Sequence, residues 1–337
     1  EPLLDLFKFT VELFKGAQGR RLSSLECHDM CCKIAQVVVV GGVRRSALIS
    51  LSNLTDDRIR RAKHGQWWLD EPQRGLSNNS VCYTEKPDFP AFMSEWSSLY
   101  ESRSGERGIF SRPASQRQAA KNGRRDSEHD FGTNPCSEII LRPYQFCNLS
   151  EVVVRPEDTF ETLKEKVRIA TILGTLQSTL TDFRYLRKIW ENNTKEECLL
   201  GVSLTGILDN EMMSGAGDDL PETLQALKQV AIDTNKLWAK KLGVNQSTAI
   251  TCVKPSGTVS QLVDSASGIH GRFAPYYIRR VRADSRDPLC TVLEAAGVPV
   301  EVDVTSPTTK VFSFPKQAPE GSVMASAQTG NLPGALV

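Results

Sequence analysis

With 337 residues the chain can bury a large core and form one big α/β domain or two smaller ones. Forty-one Lys and Arg stand against 40 Asp and Glu. The near-zero net charge argues against a nucleic-acid scaffold, whose footprint is a basic excess, and no apolar run approaches the ~18 residues of a membrane span. Nine cysteines, odd in number and without a regular framework, point to reduced thiols and a cytoplasmic setting rather than a secreted disulfide scaffold. The start, Glu1-Pro2-Leu3-Leu4, carries no initiator methionine, basic n-region or h-region, so an internal piece of something longer is expected.

Apolar positions Leu3, Leu6, Phe7, Phe9, Val11, Leu13 and Phe14 recur at mostly helical spacing. A second helix is expected from Ser23 to Ile34, capped by Ser23 or Ser24. It gathers Cys27, His28, Cys31 and Cys32, with Cys27 and Cys31 on one face. These are zinc ligands or buried helical thiols; no second ligand pair at metal-binding spacing follows, which favours the thiols. The β-branched run Val37–Val40 reads as a buried strand entering Gly41-Gly42, followed by Arg44 and Arg45. Paired glycines there let a ligand approach closely and the arginines meet phosphate, or they make a tight turn with solvated arginines. Ser46–Leu51 is a short strand.

Ser77-Asn78-Asn79-Ser80 is a polar cluster leading into a strand-like run, either capping backbone or reading a polar ligand. Phe89–Ser102 is helical, and Arg112–His129, with Arg117, Lys121, Arg124 and Arg125, reads as a solvated basic excursion. Next comes Gly132-Thr133-Asn134-Pro135-Cys136-Ser137-Glu138, with a second thiol, Cys147, eleven residues after Cys136. Pro135 fixes its own φ and biases Asn134 toward an extended conformation, so a carboxamide, a thiol and a carboxylate share one stiff loop. That is either a catalytic loop or a surface turn with one buried cysteine.

Val152–Val154 is a strand, and Asp158 with Glu161 reads as a capping box for a long helix. Its expected buried stripe is Phe160, Leu163, Val167, Ala170, Leu173, Leu176, Leu180 and Phe183. Leu199–Leu208 reads as a buried strand and turn. Pro221 opens a helix that runs to Leu242 and stops at Gly243. The strand Thr248–Val253 feeds Lys254-Pro255-Ser256-Gly257-Thr258-Val259-Ser260, and a strand, a small-residue turn and a helix start aim free N–H groups at an anion. The turn lacks the ending of a nucleoside-triphosphate P-loop and the dinucleotide fingerprint; phosphate binding is favoured over a plain turn. His270 is a general acid or base, or a structural loop histidine. Tyr276–Arg282 is a strand, Pro288–Gly297 a short helix, and Lys310–Phe314 a strand. The alternation of helices with short apolar strands argues for a parallel α/β sheet or barrel.

Several stretches, in order, match one family. TNPCSEI with FCNLSE downstream, VVVGGVRRSA, LSNNSV, SGERGIFSR, GVSLTGI, VKPSGTVSQL and SGIHGRFAPYYIRRVR together resemble the catalytic subunit of ribonucleotide reductase. The Asn-Pro-Cys form and the double arginine most resemble the adenosylcobalamin-dependent class. The similarity runs from about Cys27 to about Phe314, leaving 315–337 as an uncertain tail of a single catalytic barrel domain. The resemblance implies a ten-stranded α/β barrel of two antiparallel half-barrels, each of five parallel strands, with a finger loop threading the middle. It implies a ribonucleotide substrate, adenosylcobalamin as cofactor and a thioredoxin-like or other dithiol reductant, and it leaves a homodimer open. By the same match Cys136 carries the thiyl radical, Glu138 is the base on the 3′ hydroxyl, Asn134 hydrogen-bonds the sugar, and Cys147 is one of two reducing thiols. Gly41 and Gly42 would hold the substrate, as would the Pro255, Ser256, Gly257, Thr258, Val259 and Ser260 turn through its phosphates.

The chain departs from the family in three places. The thiol that pairs with Cys147 lies upstream of where this sequence begins, and none of the other cysteines here sits at a matching position. The C-terminal cysteine pair and the specificity-site region are absent. From about Glu320 the sequence drifts from the pattern. A central fragment is expected. The alternatives are a nucleotide-binding module without turnover, the iron-dependent class of the same family, or an unrelated thiol enzyme in which Cys136 is an ionic nucleophile served by His129.

Overall fold

The computed structural model describes residues 2–38, 46–121, 123–215, 219–304 and 306–325. The chain divides into two compact units, Glu1–Arg117 with Arg280–Phe314, and Gln118–Arg279 with Pro315–Val337.

The first unit opens with helices α1 (Pro2–Gly16) and α2 (Ser24–Val37). Ser23 caps α2 through a full capping box: its Oγ accepts from Glu26 N (3.3 Å), and Glu26 Oε2 accepts from Ser23 N (2.7 Å). A helix so nucleated runs past the expected stop. Val37 closes it, and the Val38 N–H bonds the Ala35 carbonyl, so the strand read at Val37–Val40 does not begin at these two residues. The rest of that run, with Gly41, Gly42, Arg44 and Arg45, lies outside the described residues. Cys27 and Cys31 are exposed rather than buried; Cys32 alone of the three is buried, its Sγ 3.8 Å from His28 Nδ1.

Three parallel strands follow, β1 (Leu48–Ser52), β2 (Ser77–Tyr83) and β3 (Gly108–Ser111), in the order β1-β2-β3. Between β1 and β2 lie the one-turn helices α3 (Asp57–Arg60) and α4 (Trp67–Asp70) and a 3-10 turn at Pro72–Leu76. α5 (Phe89–Ser102), capped by Asp88, makes the crossover from β2 to β3. The polar cluster Ser77–Ser80 is itself strand. Ser77 and Asn79 are buried, and Asn79 Oδ1 is 3.0 Å from His28 Nε2, so these side chains serve local structure. After β3 comes α6 (Arg112–Ala120).

The second unit carries the site. A two-stranded antiparallel hairpin, β4 (Gly132–Thr133) with β5 (Ile140–Leu141), pairs Gly132 with Leu141 and Thr133 with Ile140. Next are β6 (Asn148–Val153), α7 (Phe160–Gln177), α8 (Lys188–Glu197), β7 (Leu200–Thr205), a 3-10 turn at Ile207–Asp209, α9 (Leu220–Leu242) and the short α10 (Thr258–Leu262). β6 and β7 are parallel, Asn148 beside Leu200 through Val153 beside Thr205. On the far side of β7 runs the segment 249–252: Val202 N donates to Ile250 O (2.8 Å) and Cys252 N to Val202 O (3.1 Å). One face of these strands packs on α7 and α9 through Val152, Leu163, Val167, Ala170, Leu200, Val202, Leu227, Ala231 and Ile250. Because side chains alternate along a strand, the other face presents Leu149 and Gly201, and the Cys252 Sγ lies 3.1 Å from a Cβ placed on Gly201.

The cap of α7 sits one residue later than expected. Thr159 and Thr162 form the box, while Asp158 accepts from Arg155 N (2.7 Å) and Lys166 Nζ (2.5 Å). The buried stripe of α7 is Leu163, Val167, Ala170, Thr171, Gly174 and Thr175. Leu173 (58% exposed) lies on the outer face, and Leu180 (72% exposed) falls beyond the helix end. The basic excursion is exposed at Arg117 and Lys121, as expected, but not at Arg125. Arg125 is buried and makes a bidentate pair with Glu197 (2.8 and 2.8 Å), donates to Ile140 O (2.7 Å) and stacks over Phe131. A planar fork can satisfy several acceptors at once, so a basic residue goes inside where its partners wait.

The chain closes with β8 (Tyr276–Asp284), α11 (Pro288–Ala295), β9 (Val300–Asp303) and β10 (Ser306–Gln317), a sheet of order β8-β10-β9 with β9 and β10 antiparallel.

Candidate active site

The hairpin holds Asn134–Ile139 as its loop, and the loop is tied from within. Asn134 N donates to Ile139 O (3.3 Å), Ile139 N to Asn134 Oδ1 (3.0 Å), Thr133 Oγ1 to Ile139 O (3.0 Å) and Ser137 N to Asn134 O (2.9 Å). Ser137 turns the chain at φ 65°, in the left-handed region. The result puts Cys136 at the exposed tip and sends Glu138 inward. Asn134 Oδ1 is committed to the loop, which leaves its Nδ2 donors for a ligand.

The Glu138 side chain is 0% exposed. Its Oε1 meets Lys254 Nζ at 2.6 Å, and its Oε2 is buried with no hydrogen-bond partner. Glu138 lines a cleft of about 290 Å³ with Ile139, Ile140, Thr251 and Cys252. Cys147, just before β6, is half-buried; burial and then the charge of Glu138 push its thiol up to about 11, partly offset by Lys254. Cys252 is raised to about 12, by burial first and then by Glu138 and Cys147. Both are therefore neutral S–H groups at physiological pH.

Glycine makes this packing fit. A Cβ on Gly201 would lie 2.5 Å from Leu149 Cδ2, 2.8 Å from Ile139 Cδ1 and 3.1 Å from Cys252 Sγ, so the bare backbone of β7 lets strand, loop and thiol crowd together. Gly268, at φ 50°, supports the neighbouring turn: a Cβ there would meet Lys254 O at 2.6 Å. Lys254 N donates to Ser203 Oγ (3.0 Å), and Ser267 Oγ donates to Ser256 O.

In the predicted phosphate turn, Ser256 and Ser260 are buried and spend their hydroxyls on the turn itself. Ser256 Oγ accepts from Ser260 N (3.1 Å), and Ser260 Oγ donates to Gly257 O (2.8 Å). What the turn offers an anion is backbone, the N–H groups opening α10 after Gly257. His270 is exposed, its Nδ1 3.2 Å from Ser267 O. His129 Nε2 is 3.1 Å from Arg142 Nη1, which occupies the lone pair a general base would use. No group of three or more His, Cys, Asp or Glu with metal-binding geometry occurs among the described residues. No helix among them is long and apolar enough to cross a membrane.

Asn134, Cys136, Glu138, Cys147 and the 254–260 turn all lie within this one unit. Sequence reasoning missed Lys254 and Cys252 as members of the site, although both flank the turn it singled out. The signal was a lysine and a cysteine at the end of a strand opposite an acidic loop.

No family model matches the chain. Curated relatives do. The chain is 30% identical over 351 residues to the adenosylcobalamin-dependent ribonucleoside-triphosphate reductase of Lactobacillus delbrueckii subsp. bulgaricus, covering 94% of this chain and 46% of that protein. It is 30% identical over 360 residues to the protein of the same name from Levilactobacillus brevis, covering 98% and 47%. Among solved structures it superposes on a B12-dependent (class II) ribonucleotide reductase with TM-score 0.72 at 24% identity, over 99% of this chain and 48% of that one. The alpha subunit of the Actinobacillus ureae class Id ribonucleotide reductase matches at TM-score 0.52 and 16% identity, over 82% and 57%. These structural likenesses carry the fold, a mixed α/β architecture, and the sequence carries the kinship. Over nearly its whole length the chain is thus a sequence relative of the ribonucleotide reductase family. Within it, the relatives reported above are adenosylcobalamin-dependent ribonucleoside-triphosphate reductases, and the chain spans about half their length.

Proposed function

We propose that this chain is the catalytic region of a ribonucleotide reductase that converts ribonucleotides, with triphosphates favoured by the relatives' names, to 2′-deoxyribonucleotides by cysteine thiyl chemistry. The supporting observation is the Cys136 loop. An exposed thiol sits two residues from a fully buried carboxylate with one unpartnered oxygen, and that carboxylate's charge reaches a protonated second thiol. Cys136 takes hydrogen from the ribose 3′ carbon, and Glu138 accepts the 3′ hydroxyl proton at Oε2. The Nδ2 of Asn134 donates to the same sugar. Cys147, held as S–H, is one of two thiols that give two electrons to the 2′ position, release its hydroxyl as water and end as a disulfide. A thioredoxin-like or other dithiol then restores them by exchange. The first-turn N–H groups of α10, with Pro255–Ser260 around them, face the substrate phosphates.

The residues present fit adenosylcobalamin at one point: the Cys136 thiol is exposed at the loop tip, open to a bulky cofactor. Adenosylcobalamin, when bound, supplies the one-electron chemistry that generates a thiyl there and brings its own ligand ring for the metal. The single barrel of ten strands over 1–337, with the Cys136 loop as its finger, belongs to this reading, as do a cytoplasmic setting and a homodimer. The test is turnover by the full-length protein with adenosylcobalamin, a dithiol and nucleoside triphosphates. Deoxynucleotide should form, and Cys136→Ser should lower the rate by at least about 10³-fold. Nucleotide binding without product would leave a non-catalytic module, and activity surviving in Cys136→Ser would end the thiyl assignment.

A further inference from the structure

The one ammonium hydrogen-bonded to the Glu138 carboxylate among the described residues belongs to Lys254, and it takes only one of the two oxygens. Its backbone is pinned independently of that pair. Lys254 N donates to Ser203 Oγ on β7 (3.0 Å), and its carbonyl nests against Gly268, where a Cβ would come within 2.6 Å. The lysine stem therefore starts from a fixed point, and its head, a quarter exposed, reaches a carboxylate that has no exposure at all. A buried carboxylate without a counter-charge takes up a proton, because burial penalises the charged form. A carboxylic acid is no use as a proton acceptor. The ammonium at 2.6 Å supplies that counter-charge, and by holding Oε1 it fixes the rotation that leaves Oε2 as the accepting oxygen.

We propose that Lys254 is a positioning residue for Glu138, holding the carboxylate ionised and oriented through Oε1 so that Oε2 takes the substrate hydroxyl proton. The proposal rests on the reading of Glu138 as the base. In the step itself the hydroxyl O–H bond breaks and an Oε2–H bond forms. Glu138 becomes neutral beside Lys254, which stays an ammonium hydrogen-bonded at Oε1.

Two variants test this, Lys254→Met, which keeps bulk without charge, and Lys254→Arg, which keeps charge. In the purified chain, difference infrared spectroscopy at pH 7 reads the protonation state of Glu138 without any turnover. Lys254→Met should show a buried protonated-carboxyl band that is absent from the wild type and from Lys254→Arg, and that disappears in Lys254→Met/Glu138→Gln. In the full-length protein, Lys254→Met should lower kcat by at least about tenfold, change KM little and move the acidic limb of the pH–rate profile upward, with Lys254→Arg restoring the limb. A Lys254→Met protein that melts like the wild type, shows no such band and keeps the wild-type pH profile would overturn the proposal. If the wild type makes no deoxynucleotide while the band appears as described, the functional reading fails and the coupling of Lys254 to Glu138 stands.

Discussion

At the residue scale the site works by contrasts of protonation. Cys147 is raised to about 11 and Cys252 to about 12, each mainly by burial, while Glu138 is held beside an ammonium. Thiolates alkylate and thiols do not, so the rate of Cys147 modification by iodoacetamide, followed by mass spectrometry, should rise about tenfold per pH unit through pH 10 without levelling. A plateau near pH 8.5–9, where an ordinary thiol titrates, would contradict the burial of Cys147 that chiefly raises it. Cys136, exposed at the tip, should be modified well before either of them at pH 8.

At the element scale the strands are positioned by glycines rather than by side-chain bulk. Gly206 follows β7 at φ 78°, and a Cβ there would sit 2.5 Å from the Val154 carbonyl oxygen. Backbone cannot swing aside as a side chain can, so Gly206→Ala should cost about 2–4 kcal/mol in urea denaturation. Gly201→Ala meets the flexible ends of Leu149 and Ile139, which can give way, and should cost a smaller ~1–2 kcal/mol. Its effect on turnover should exceed its effect on stability, because Ile139 is bonded to Glu138 and the added methyl presses on Cys252. Equal stability losses in the two variants would show that side chains around Gly201 are as fixed as backbone. The buried Arg125–Glu197 pair braces the hairpin from beneath through Ile140 O, joining the base of the loop to the end of α8.

At the scale of the whole molecule, pH should act on stability from the alkaline side. Burial opposes the charge of His28, but Asp29, Cys32 and Asn79 outweigh it and raise it from 6.5 to about 9. The folded state therefore binds more protons than the unfolded chain between those values, so the stability His28 contributes is complete below pH 6.5 and lost as pH climbs through 9. Cys147 and Cys252 act in the same direction above about pH 9, since the unfolded thiols ionise first. Chemical denaturation midpoints should fall steadily from pH 6.5 to 9, and His28→Gln should flatten that slope. A stability that rises with pH over this window would refute the His28 assignment. The near-balanced charge of 41 basic against 40 acidic residues carries its own expectation: no measurable affinity for single-stranded DNA at physiological salt.

Local physics was legible in the sequence. Ser23 before an apolar repeat, Pro221 in a first turn and Gly243 after the last lysines fixed where α2 and α9 start or stop, because caps and breakers act over a few residues. The order of motifs likewise marked Asn134, Cys136, Glu138 and Cys147 as one constellation. Where the sequence misled, the deciding partner was distant: Arg125 reads as a solvated cation until Glu197, 72 residues on, buries it. The same holds for Lys254, which is a turn lysine in one dimension and the counter-ion of Glu138, 116 residues away, in three. Composition and spacing determine which groups the chain owns and where its helices begin. Only the packing of the hairpin against β6, β7 and the strand that leads to Lys254 decides which charges meet out of water, because the penalty for burying an ion is met by whichever opposite charge the fold brings within reach.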